Sequence, residues 1–244
     1  NSLNIPKNLN LGVMVNAFEI ISHPKGLNSA VKIMFINGRK SKVKLVRLAC
    51  HFEELNKTVK ICKLLQRMNY KVAINLMQIS EQSEEKILAA SKLINKTKPD
   101  ILYFADSLGG MDPEQILSLI KTLRKNWDGE LGIHTHNNLG KAIANSLTAI
   151  ENGVSWVDCT VTGMGRGPGN AQTEYLLIEM QNIQKRNFNI LPILKLIDKH
   201  FDPLKLKFKW GPNAYYYLAG KYSIHPTYIQ EMLSTHFNPD EIMA

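Results

Sequence analysis

Six short, β-branched apolar runs recur along this chain, and their spacing constrains the fold more than any other feature. They are LGVMVN (11–16), VKLVRLA (43–49), KVAINLM (71–77), DILYFAD (100–106), LGIHTH (131–136) and SWVDCTV (155–161). From the second onward their starts lie about 25–30 residues apart, the length of one strand plus one helix. The intervening segments have helical period. In FEELNKTVKICKLLQRM an apolar stripe runs through Leu55, Val59, Cys62 and Leu65. MDPEQILSLIKTLRKN opens with Asp112 as N-cap, Pro113 at the first helical position and Glu114 in the first turn. LGKAIANSLTAIENG closes on Gly153, a natural helix end. Parallel neighbours need a crossover and a helix supplies it, so the fold class is α/β with a parallel sheet.

Two architectures fit, a doubly wound open sheet and a TIM (β/α)8-type barrel. An open sheet concentrates its site at one switch point, whereas a barrel collects side chains from the tips of many strands. Here the runs end in Asn16, His51, Asn75 with Gln78, Asp106 with Ser107, His134 with His136, and Thr160 with Thr162. That spread favours the barrel. Past about residue 185 the strand pattern stops, and ILPILKLIDKHF and YIQEMLSTHF read as helices. The expected division is a barrel domain over 1–185 and a C-terminal helical extension over 186–244.

Composition excludes several classes. Of 244 residues, 44% are hydrophobic and 21% charged, as in an ordinary globular domain. No apolar run approaches the roughly 18–20 residues of a membrane span, and the polar first ten residues hold no signal-peptide core. Cys50, Cys62 and Cys159 are widely spaced, without CxxC, and read as reduced thiols of a cytoplasmic protein. The formal charge of +9 is carried largely by lysine, much of it in GRKSKVKLVR (38–47) and KLKFKW (205–210). No nucleic-acid-binding motif accompanies it, so the expectation is a lysine-rich exterior that attracts anionic substrates, with neither nucleic acid nor membrane as partner.

The stretch GIHTHNNLG (132–140) carries two of the seven histidines. Side chains at i and i+2 of a strand share a face, so His134 and His136 can reach a common point while Thr135 faces away. Neutral imidazoles bind Zn, Mn, Fe or Co. A histidine pair held by backbone hydrogen bonds has the same spacing, and the neighbours tip the reading toward metal. Asp106 ends the preceding strand. The glycine-rich TGMGRGPGN (162–170) follows the next one and leads into a helix beginning AQTEYLL. Such a loop exposes backbone N–H groups to an anion at a helix N-terminus. Asn170 could cap that helix or turn inward as an oxygen ligand.

The combination ADSLGGM … GIHTHNNLGKAIANSLTAIENG … VDCTVTGMGRGPGNAQTE resembles the DRE-TIM metallolyases, over roughly residues 43–180. Within that superfamily RLACHF, NLMQIS and YYYLAGKYSIHPTYIQEML are most similar to the 4-hydroxy-2-oxovalerate aldolase branch. The resemblance implies a divalent metal, Mn2+ or Mg2+ first and Zn2+ or Co2+ as alternatives, held by His134, His136 and Asn170. The metal would grip a pyruvate-like 2-oxo acid and stabilise its enolate as a C–C bond breaks or forms, with an aldehyde as the other product or substrate. Asp106, His51 and a tyrosine of the 215–217 cluster, Tyr215, are the catalytic candidates. Asn75, Thr160, Gly165, Arg166 and Gly167 are the substrate-binding candidates. The tail implies docking of a partner enzyme or a homo-oligomer.

The superfamily also places an Arg-Asp pair on its first strand, and no Arg-Asp dipeptide occurs here. LGVMVN resembles the third strand of the barrel. Two strands are therefore expected ahead of Asn1, and the 244 residues alone are expected to be catalytically incomplete. An acyl-CoA-dependent Claisen-type synthase and a non-catalytic barrel remnant used for protein interaction are the competing readings. The glycine loop lacks the cysteine of the CoA-lyase branch.

Overall fold

The computed structural model of the chain describes residues 5–6, 8–185 and 187–234. The final residues of the expected C-terminal extension, 235–244, lie outside the described residues. Six strands form where the apolar runs stand: β1 (Leu11–Asn16), β2 (Val43–Cys50), β3 (Lys71–Leu76), β4 (Ile101–Asp106), β5 (Glu130–Thr135) and β6 (Trp156–Val157). The helices are α1 (Ala17–Ile21), α2 (Leu27–Met34), α3 (Leu55–Arg67), α4 (Glu84–Thr97), α5 (Pro113–Arg124), α6 (Ala142–Glu151), α7 (Thr173–Gln184), α8 (Leu191–Leu196), α9 (Asp202–Phe208), α10 (Ala214–Lys221) and α11 (Pro226–Ser234). No described helix is long and apolar enough to cross a membrane. The chain forms two compact units, one of residues 1–104 and 122–131, the other of 105–121 and 132–244.

In the first unit β1, β2, β3 and β4 are parallel neighbours in chain order. The pleat separates two chemistries. Val46, Leu48, Cys50, Val72, Ile74, Leu76, Leu102 and Phe104 point to one side and are fully buried; α3 packs on this sheet. Leu55, Val59, Cys62 and Leu65 of the predicted stripe are all buried, and each such side chain removed from water contributes about 1.5–3 kcal/mol. The opposite side carries small and polar groups. Ala49 stands beside Asn75, and Asn75 beside Tyr103, in register across β2, β3 and β4. The Arg47 guanidinium lies 4.4 Å from the centre of the Tyr103 ring.

In the second unit β5 and β6 are parallel, Gly132 opposite Trp156 and Ile133 opposite Val157. In neither unit does strand order reverse, which is the order of a (β/α) barrel and not of a doubly wound sheet. The N-terminus of α5 is built as the sequence predicts. Asp112 Oδ1 accepts the Gln115 N–H at 2.9 Å, and Gln115 Oε1 accepts the Asp112 N–H at 2.9 Å, a reciprocal capping box. The run at 155–161 yields only a two-residue strand. Beyond it the Asp158 N–H still donates to Ile133 (3.0 Å), but the Thr160 N–H donates to Ala171 O (3.0 Å), so the backbone changes partner from β5 to the returning glycine loop.

Candidate metal centre

β5 and its continuation position the histidine pair. The Thr135 hydroxyl lies against the α6 side, 3.3 Å from Ala142 O and 3.2 Å from Ser146 Oγ. His134 and His136 therefore share the other face, as alternation requires. Their ring centroids are 5.0 Å apart and the planes stand edge-on at 80°.

Each ring has one nitrogen already assigned. His136 Nδ1 lies 2.8 Å from the Ser107 carbonyl oxygen, which can only accept, so Nδ1 carries the proton and Nε2 keeps its lone pair. His134 Nδ1 lies 2.8 Å from Asp158 Oδ2, and the carboxylate fixes the same tautomer. Two imidazoles that each present Nε2 suit a divalent cation, and a carboxylate or carbonyl behind a histidine is the usual support of a ligating ring. Burial and the neighbouring His134 push the His136 pKa down to about 4, so this ring is neutral near pH 7 and free to ligate.

Asp106 is fully buried at the tip of β4. Its carboxylate accepts the N–H groups of Gly110 and Met111, both at 3.2 Å. Burial raises its pKa to about 6, against the lowering effect of those amides. These bonds fold the loop Ser107–Met111 back on the strand tip. In the same turn the Ser107 carbonyl meets His136, and the Asp106 carbonyl accepts the His136 N–H at 3.4 Å. Asp106 thus positions the loop that orients His136.

Asn170 does not cap the helix it precedes: α7 begins at Thr173 with Gln172 as the flanking residue. Its backbone instead forms an antiparallel bridge with His136, and its Nδ2 donates to Met164 O at 3.2 Å, leaving Oδ1 without a donor among the described residues. The glycines enforce this close approach. A side chain at Gly165 would collide with the Asn170 amide, and Gly167, at φ +54, sits against the Tyr216 ring. Thr162 is held at φ +56 while its N–H donates to the buried Glu174 carboxylate at 3.0 Å. Arg166 is exposed on the loop.

The tyrosine against this loop is Tyr216. It is buried beside Gly167, and burial raises its pKa while Arg166 pulls it down. Tyr215, the sequence candidate, packs on the cluster of Tyr216, Ala219 and Ile229. The Asn213 side chain caps α10 by accepting the Tyr216 N–H at 2.9 Å, and that fixes which tyrosine faces the loop.

Thr160, two residues beyond Asp158, has a buried hydroxyl with no partner among the described residues. Two predicted residues stand in the other unit. His51 caps a short 3-10 turn, its N–H donating to Glu54 Oε2 at 3.0 Å. Asn75 is buried on β3, with Oδ1 lacking a partner among the described residues. Asp158, whose Oδ2 meets His134 Nδ1, is a residue that the sequence reading did not single out. The available signal was its place two residues before Thr160 in the same apolar run.

The HMGL-like family description matches residues 29–199, and the chain belongs to that family. It is 33% identical over 162 residues to a protein named 4-hydroxy-2-oxovalerate aldolase from Bacillus cereus, covering 66% of this chain and 48% of the relative. A protein of the same name from Carboxydothermus hydrogenoformans is 36% identical over 134 residues, 55% of this chain and 40% of the relative. The chain thus spans about half the length of the curated relatives it matches. Among solved structures, the N-terminal domain of a candidate aldolase from Bacteroides vulgatus superimposes with a TM-score of 0.82 and 28% identity, covering 97% of this chain and 76% of that one. HMG-CoA lyase of Bacillus subtilis shares the fold at a TM-score of 0.67 and 16% identity, covering 86% of this chain and 74% of that one.

Proposed function

We propose that this chain carries the histidine metal site and glycine loop of a divalent-metal-dependent carbon–carbon lyase of the aldolase type, acting on a pyruvate-like 2-oxo acid. The observation that carries the reading is the pair of imidazoles whose Nδ1 atoms are both claimed, His134 by Asp158 and His136 by Ser107 O, leaving two Nε2 lone pairs on one strand face. When bound, Mn2+ or Mg2+ would supply a Lewis acid for the negative charge that builds on the keto oxygen during C–C cleavage. The protein's own groups do the rest. Asp158 and the Ser107 carbonyl hold both rings in one tautomer, and Asp106 ties down the loop that carries Ser107. Asn170 offers Oδ1 as a third, neutral ligand from its bridge to His136. Arg166, on the loop, is the cation available to a substrate carboxylate.

Among the described residues no group of three His, Cys, Asp or Glu side chains converges on one point. Two imidazoles and an amide oxygen bind a hard cation weakly, so metal affinity is low for this chain by itself. The test is Mn2+ binding, measured by titration calorimetry in the chain and in a His134→Ala/His136→Ala variant. Weak, saturable binding that the double variant abolishes supports the reading. Binding that persists unchanged in the double variant, or no binding by the parent chain, contradicts it.

A further inference from the structure

A concentration of like charge lies away from the histidines, in the first unit. A cleft of about 730 Å³ opens where α2 packs beside α3. Lys57, Lys60, Lys63 and Arg67 line it from α3, with Lys25 from the turn before α2, and no Asp or Glu is among the residues that line it. The four α3 positions follow the 3, 3, 4 spacing of a single helix face, so all four cations project toward the same side. Ile21, Leu27 and Leu64 supply its apolar lining. Five like charges around one concavity repel one another, and a bound anion relieves that repulsion.

The opposite wall adds donors. No side chain caps α2, whose preceding residue, Gly26, has no side chain to offer and stands at φ +75. The first-turn amides of Leu27, Asn28 and Ser29 leave this end of the helix without intrahelical acceptors, and these three residues also line the cleft.

We propose that this cleft binds a small oligophosphate, a ligand bearing a di- or triphosphate chain. A single-charged anion would leave most of the five cations uncompensated, whereas a phosphate chain carries several charges on adjacent groups and also accepts from backbone amides. Nucleic acid fits less well, because the cations surround a concavity and do not track a long exposed surface. The phosphate chain could belong to a nucleotide or to an inorganic polyphosphate.

Tripolyphosphate, ATP and inorganic phosphate are titrated into the full chain at two salt concentrations by calorimetry. Amide NMR shifts of Leu27, Asn28 and Ser29 are followed in the unmodified protein. The expected result is saturable one-to-one binding of tripolyphosphate, weaker at higher salt, with shifts at those three amides. Lys60→Glu/Lys63→Glu should weaken it roughly tenfold or more, and Lys205→Glu/Lys207→Glu should leave it unchanged. ATP tighter than tripolyphosphate identifies a nucleotide as the source, and equal affinity means that the phosphate chain alone is recognised. Absence of saturation, equal loss in both lysine pairs, unshifted α2 amides, or duplex DNA outcompeting tripolyphosphate would each overturn the proposal.

Discussion

Asp158 and the Ser107 carbonyl perform one task by two means, since each accepts a hydrogen bond from the Nδ1–H of a histidine and so decides which nitrogen faces the site. A carboxylate also adds electron density to its imidazole, which a carbonyl does only weakly. Asp158→Asn should therefore weaken divalent metal binding about 10–100-fold, and titration calorimetry with Mn2+ or Co2+ measures this. An unchanged affinity would remove Asp158 from the site. Asp106 has a different signature. Burial lifts its pKa from 3.8 to about 6, so the folded chain holds that proton more tightly than the unfolded one. The stability this group contributes is present below about pH 4, declines as pH rises toward 6 and is constant above. Asp106→Asn removes the dependence. In chelator, the variant should gain on the parent by up to about 3 kcal/mol between pH 4 and 6, read from urea unfolding at each pH; a difference that does not move with pH would contradict it. The fixed cost of replacing the acceptor with an amide does not vary with pH. Sequence showed both histidines and Asp106, because strand alternation and strand ends are local properties. It did not show the Asp158 contact, since that pairing joins residues 24 apart.

The glycine loop is the element in which backbone geometry decides most. Gly167 combines φ +54 with a Tyr216 ring that an added Cβ would crowd at 3.0 Å. Gly167→Ala should destabilise the chain by about 1–3 kcal/mol, measurable by chemical denaturation, and disturb Tyr216 fluorescence. A neutral effect would mean that the loop has slack. The Asp112 cap of α5 and the α3 stripe were legible in the sequence because each depends on neighbours three or four positions away; the reciprocal bond from Gln115 was not read there. The brevity of β6 was not, because a β-branched run cannot reveal that its backbone will leave one partner strand for a loop about ten residues further on. The choice between Tyr215 and Tyr216 was equally hidden. It depends on where Asn213 starts α10, and a one-residue shift turns a helical side chain by 100°.

For the whole molecule, strand spacing alone gave a parallel β/α fold, and the match over residues 29–199 places the chain in the HMGL-like family. Chemistry is a property of the site and not of the fold, so the account stands or falls with the two Nε2 atoms. Crystals of the chain soaked in Co2+ and measured at the cobalt edge test this directly. The account predicts an anomalous peak about 2.1 Å from Nε2 of both His134 and His136, with Asp158 and Ser107 still on the Nδ1 atoms. Rings that remain bare at saturating cobalt, or a peak that contacts only one of them, would contradict it.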